Sequence, residues 1–223
     1  MRIENIMMIQ WRVFVLIVGF VFSLAAYGQR SLVQCAEKKK QAVMSIVQLQ
    51  QGTDSLASQK LASIDQDWQD CVVDAALPEF KALTIGDEVI DSKALKGKIV
   101  MINFWFTSCA PCVAELPGLN RLVHEYQGKN VVFIGFTFED KKKIRDEFFP
   151  QHPFDFKIVS EAGSMEKIFG VDDYPSTFIV DPSGKVRKAW SGGTTGAEAK
   201  NEVYRKARNV IDTLLREENK GSH

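Results

Sequence analysis

The stretch VMINFWFTSCAPCVAELP, residues 100–117, changes texture halfway along, and that change decides the fold. Ile99 to Phe106 is a near-continuous apolar run, as expected of a strand buried on both faces. Ala110 to Tyr126 then reads as a helix bent at Pro117. Cys109 and Cys112 fall where the strand gives way to the helix. Working outward, Asn130 to Phe138 reads as a second buried strand, followed by a charged helix over Asp140–Phe149. Phe154 to Val159 and Met165 to Phe169 read as a short strand and a short helix. Ser176 to Val180 and Lys185 to Trp190 form a hairpin across Asp181-Pro182-Ser183-Gly184, and Ala197 to Leu215 closes the chain as a helix. Upstream, Glu88-Val89-Ile90 lies before a turn at Ser92–Leu95. A parallel β-α-β unit followed by an antiparallel hairpin and a last helix predicts an α/β fold with a mixed sheet.

Residues 29–76 differ from residues 77–220. They are polar, rich in Gln, Lys, Ala, Leu and Ser, with no proline. Val33, Ala36, Val43, Ile46, Val47 and Leu49 make a loose apolar face at helical spacing, and Leu56, Leu61, Ile64 and Trp68 resume one after the break at Gln51-Gly52-Thr53-Asp54. A helical hairpin is expected. Cys35 and Cys71 are equidistant from Thr53, so antiparallel helices place them at one height, where a disulfide would staple the open end. Two unrelated thiols are the alternative.

Residues 1–28 read as a secretory signal, with Arg2 and Arg12 around the n-region, an apolar run from Val13 to Ala26, and small residues at Ala26 and Gly28. An uncleaved anchor is the alternative, because Ile6 to Trp11 lengthens the hydrophobic stretch. Lipidation at Cys35 is disfavoured, since such signals want a small residue where Gln34 stands. Export places the cysteines where disulfides persist, so the expected location is exported, periplasmic or anchored facing the periplasm. Lys+Arg and Asp+Glu both total 28, which leaves no basic field for nucleic acid.

A helix N-terminus favours thiolate, and a Cys-X-X-Cys nucleophile there can fall well below ~8.5. Cys109, the outer one, would attack a partner's disulfide, and Cys112, one turn inside, would resolve the mixed disulfide. Pro111 suits the first helical turn. A zinc site would need two more ligands, and the sequence offers neither a second such pair nor a suitable His spacing, so no metal is expected. A structural disulfide and plain burial of the two thiols remain the bland readings.

Residues 100–117, together with Gly170-Val171-Asp172-Asp173-Tyr174-Pro175-Ser176-Thr177-Phe178-Ile179-Val180-Asp181, resemble the active-site and cis-proline segments of thioredoxin-like proteins of the TlpA/ResA type. The likeness covers roughly residues 77–217 and implies a thioredoxin-like fold whose mixed central sheet is flanked by helices and preceded by the N-terminal helical segment. It implies that Cys109 is the nucleophile, Cys112 the resolving thiol and Pro175 the cis-proline. Tyr174 would offer backbone hydrogen bonds to an extended substrate. Where thioredoxins keep a buried acid this chain has Asn103, so Glu115, one turn beyond Cys112, becomes the candidate for tuning and relaying protons. A solvated surface glutamate is the alternative for Glu115. Ser108 stands where thioredoxins commonly carry Trp, while Trp105 and Phe106 read as core. His124 and His152 read as structural or solvent-facing, and Lys38–Lys40 and Lys141–Lys143 as solvated helix faces.

The resemblance implies a thiol–disulfide oxidoreductase that needs no cofactor. Its partners would be thiols and disulfides of exported proteins and a membrane or periplasmic electron donor. Two other functions compete. One is a thiol peroxidase of the peroxiredoxin (AhpC/TSA-like) group, which Thr107 keeps open although such enzymes usually place the resolver far away. The other is a non-enzymatic surface binding module docking through residues 29–76.

Overall fold

The computed structural model describes residues 31–49 and 54–221; the expected signal segment, residues 1–28, lies outside them. Helices α1 (Leu32–Leu49) and α2 (Asp54–Val72) come first, followed by a two-stranded antiparallel ribbon of β1 (Lys81–Leu83) and β2 (Val89–Asp91) and a 3₁₀ turn at Ser92–Leu95. The central sheet contains β3 (Ile99–Phe104), β4 (Val131–Phe136), β5 (Lys157–Val159), β6 (Ser176–Val180) and β7 (Val186–Ser191), in the order β5-β4-β3-β6-β7. Strands β3, β4 and β5 are parallel, β6 runs antiparallel to β3, and the edge strand β7 runs antiparallel to β6. Helices α3 (Ala110–Glu125), α4 (Gly163–Phe169) and α5 (Ala199–Gly221) complete the thioredoxin-like architecture. Among the described residues no helix is long and apolar enough to cross a membrane.

Every residue of β3 is buried, and its alternation feeds two cores. Ile99 and Met101 pack with Leu116 and Leu119 of α3 and with Val203 and Ile211 of α5. Val100, Ile102 and Phe104 face the other way, into a cluster with Phe136, Phe169, Phe178, Trp68 and Cys35. Helix α2 packs on β7 and α1 on α4, so the N-terminal helices share the domain's core. Trp68 meets Phe178 edge to face, centroids 6.0 Å apart. Cys35 and Cys71 form a disulfide with Cα atoms 5.7 Å apart.

The structure corrects three readings. Val33, Val47, Leu56 and Leu61 are exposed, because among the described residues of the two helices full burial is confined to Leu32, Cys35, Trp68 and Val72, the residues that reach the sheet. The charged segment after β4 winds as a π-helix at Lys143–Phe148, not an α-helix. At its C-terminal end the adjacent residues Phe148 and Phe149 both reach Trp105, at 5.4 and 6.3 Å between ring centroids, and the Phe149 N–H reaches back five residues to the Ile144 carbonyl. The strand expected over Phe154–Val159 shortens to three residues, because Phe154 and Phe156 turn into the core beside Trp105 and Phe133.

Candidate active site around Cys109 and Cys112

Cys109 is the N-cap of α3, with extended backbone angles, and its Sγ accepts the backbone N–H of Cys112 at 3.3 Å. Pro111 sits in the first turn, where no helical bond is lost to its ring. The two cysteines are joined in a disulfide, Cα atoms 5.2 Å apart. Cys109 is 5% exposed and Cys112 1%, so the outer sulfur is the one a partner can meet first. The helix N-terminus beneath them favours negative charge on whichever sulfur is released.

Glu115 is 4% exposed, and its Oε2 has no hydrogen-bond partner. Burial, reinforced by the charge of Glu202 and opposed by Lys206, pushes its carboxyl up to about 8. This is not a solvated helix-surface glutamate. It lies on the inner turn of α3 beside Gly193, where a side-chain carbon would fall 2.8 Å from Glu115 Oε1, 3.3 Å from Pro175 Cγ and 3.4 Å from Pro111 Cβ. The buried carboxyl, the first turn of α3 and Pro175 thus converge on a glycine that sequence reasoning missed. The Gly192-Gly193 pair marks a loop in sequence but not a site; only the contact shows why a side chain is absent.

The Tyr174–Pro175 peptide is cis, and the Pro175 carbonyl accepts the Gly192 N–H at 2.8 Å. The Tyr174 hydroxyl donates to Glu166 Oε1 at 2.5 Å, and burial together with that carboxylate raises its pKa. The Tyr174 ring meets Phe106 edge to face at 5.1 Å and Phe138 at 6.2 Å. Phe138 is 47% exposed, so an aromatic surface stands beside the loop before Cys109 although no Trp precedes the cysteine. Asn103 is buried and donates to Thr177 Oγ1 at 3.0 Å, a bond between β3 and β6 with no proton to give.

Two more residues escaped the sequence. Glu139, buried just past β4, accepts the backbone N–H and the hydroxyl of Thr107, each at 2.7 Å, and pairs with Lys143. Lys39 is not on a solvated face: its side chain is 10% exposed, bonded to Asp65, Asp173 and Ser191. Lys143 is likewise paired rather than free. His124 is exposed beside Asp155, and His152 stacks on Phe148. Among the described residues no cluster of His, Cys, Asp and Glu is arranged to hold a metal ion.

Comparison with known proteins gives this geometry its relatives. Residues 73–189, just over half of the chain, match the AhpC/TSA family. The chain belongs to that family. Curated relatives include the thioredoxin-like protein YneN of Bacillus subtilis, 32% identical over 129 residues that make up 56% of this chain and 75% of that protein. The thiol–disulfide oxidoreductase ResA of Oceanobacillus iheyensis is 30% identical over 125 residues, 54% of this chain and 65% of that protein, a little under two thirds of its length. A secreted Mycobacterium tuberculosis disulfide oxidoreductase superposes with a TM-score of 0.51 at 21% identity, covering 59% of this chain and 96% of that one, which speaks for the fold. This AhpC/TSA member is thus similar in sequence to ResA-type thiol–disulfide oxidoreductases, and its thioredoxin-like fold is the expected one.

Proposed function

We propose that this protein is exported and exchanges disulfides with exported protein substrates through Cys109 and Cys112, working as a reductant. The observation that carries the reading is the disulfide between Cys109 and Cys112, capping α3 beside Pro175 with a buried, protonatable Glu115 one turn below. In the reduced protein the Cys109 thiolate attacks one sulfur of a partner disulfide. A mixed disulfide forms and the partner's other sulfur leaves as thiolate. The Cys112 thiol loses its proton, with Glu115 placed on its helix to relay it. The resulting thiolate attacks Cys109 Sγ and releases the partner's second thiolate. Two electrons have passed to the partner, the 109–112 disulfide has formed, and a membrane or periplasmic electron donor returns the pair to dithiol. Tyr174 lines up the substrate chain through its backbone, and the Phe106–Phe138–Tyr174 surface gives the partner an apolar footing.

The peroxidase alternative is less well supported. Its resolver would lie far from the attacking thiol, whereas Cys112 is already bonded to Cys109, and the Thr107 hydroxyl is committed to Glu139. Insulin-disulfide reduction and hydrogen-peroxide turnover, run on wild type, Cys109→Ser and Cys112→Ser, decide the matter. Insulin reduction lost in both variants, with a mixed disulfide accumulating in Cys112→Ser, is the expected result. Peroxide turnover without insulin reduction would move the protein to the peroxidases, and neither activity would leave a binding module.

A further inference from the structure

The Lys39 ammonium has three N–H donors and three partners from three elements. Asp65 on α2 lies at 3.0 Å, Asp173 in the loop before Pro175 at 2.9 Å, and Ser191 Oγ at the end of β7 at 2.7 Å. Trp68 lies under it, Nζ 4.7 Å from the ring centroid. Asp65 closes the group by accepting from Ser191 Oγ at 2.9 Å and from Gln69 at 2.8 Å.

The two outer partners flank the site. Asp173 is two residues before Pro175, and its carbonyl accepts the Ser176 hydroxyl at 2.7 Å. Ser191 is followed by Gly192, whose N–H binds the Pro175 carbonyl, and by Gly193, the residue against Glu115 and Pro175. The same helix touches the loop at its start. Gly170 is left-handed, φ 66°, and a side-chain carbon there would fall 2.5 Å from Ala36 Cβ and 3.1 Å from the Leu32 carbonyl oxygen. Helix α1 therefore holds the Gly170–Pro175 loop at both ends, through a contact too close for any side chain and through a charge.

We infer that Lys39 is a positioning residue for disulfide exchange: through Asp173 and Ser191 it fixes the cis-proline loop and the glycine segment that together wall the Cys109–Cys112 site. This rests on the function proposed above. The N-terminal helices are thereby a brace for the substrate-binding loop, and the Cys35–Cys71 disulfide, one turn from Lys39 on α1, keeps the brace closed. Substrate pairing alongside Tyr174 needs that loop held in place before the substrate arrives, and small displacements of a reacting pair are expensive in rate.

The test uses full-length Lys39→Met, Lys39→Arg and Asp173→Asn. Asp173 is more than half exposed, so Asp173→Asn breaks one arm of the clamp without stranding a buried charge. In both Lys39→Met and Asp173→Asn, kcat/KM for insulin should fall about tenfold, chiefly through KM. Lys39→Arg should recover most of the loss, the double variant should be no worse than Lys39→Met, and exchange of the Gly192 amide should quicken in both single variants. Folded variants with wild-type KM and unchanged Gly192 exchange overturn the role, even if their melting temperature drops. Wild-type protein that reduces no disulfide overturns the function itself, and this role with it.

Discussion

Thr107 and Glu139 are tied twice, the Glu139 carboxylate taking the Thr107 backbone N–H on one oxygen and its hydroxyl on the other, each at 2.7 Å. The bonds span 32 residues and pin the chain two positions before Cys109 to the end of β4. Burial alone would push the Glu139 carboxyl up, but the bonds from Lys143 and Thr107 outweigh it and hold it below the ordinary carboxylate value. Glu139→Ala strands the Thr107 N–H and should lose about 2–3 kcal/mol in urea unfolding. Because the folded pKa is the lower one, the stabilisation is present above the unfolded carboxyl value and is lost as pH falls through the folded value. The gap between wild type and Glu139→Gln should therefore be wide at pH 7 and close in acid.

Glu115 has the opposite sign. Its folded carboxyl titrates at about 8, above its unfolded value of about 4.5, so stability falls as pH rises between the two. In the oxidised protein Glu115→Gln should match wild type near pH 4 and exceed it at pH 8, by on the order of a few kcal/mol. Paired denaturation curves at the two pH values check this. Equal stability at pH 8 would mean the carboxyl is not held protonated. The same variant should lose the inflection near pH 8 from the rate profile of insulin reduction.

Helices α3 and α5 meet at Gly118, where a side-chain carbon would fall 2.0 Å from the Lys200 carbonyl oxygen. That neighbour is backbone and cannot rotate away. Gly118→Ala must push α5 outward and should cost about 1–3 kcal/mol of stability, read in thermal melts, despite the better helix propensity of alanine.

The Cys35–Cys71 disulfide spans 36 residues and sits among the fully buried residues at the open end of the hairpin. Chain entropy gives such a crosslink about 3–4 kcal/mol. The Cys35→Ala/Cys71→Ala variant should unfold at correspondingly lower urea while Cys109 and Cys112 still form their disulfide, checked by counting free thiols with and without denaturant. If the amide-exchange protection of α1 survives the double substitution, packing on α4 rather than the crosslink holds the hairpin.

Much of the sheet was legible because its signals are local. The apolar run of β3, broken only at Asn103, announces burial on two faces, and the turn before β7 is built from its own residues, with Asp181 accepting from Ser183 and Lys185. The two cysteines and Glu115 were legible because all three stand on one helix start. Glu139 and Lys39 were not, since each acts on a segment far away in sequence and neither is flanked by a pattern. Three lysines in a row look like a wet surface, yet a helix must turn one of them inward, and here the middle one shares the face of Cys35. The π-helix was hidden because its apolar residues Ile144, Phe148 and Phe149 fit an α-helical spacing as well, and only the packing against Trp105 shows the wider turn.

The two disulfides differ in what surrounds them. Cys109 stands at a helix start in the cluster on one side of the sheet, while Cys35 lies within the apolar cluster of Phe104 and Phe178 on the other. The proposed cycle opens and remakes only the first crosslink; the second belongs to the other core, across the sheet, and works as a splint for the scaffold beside a bond made to be broken.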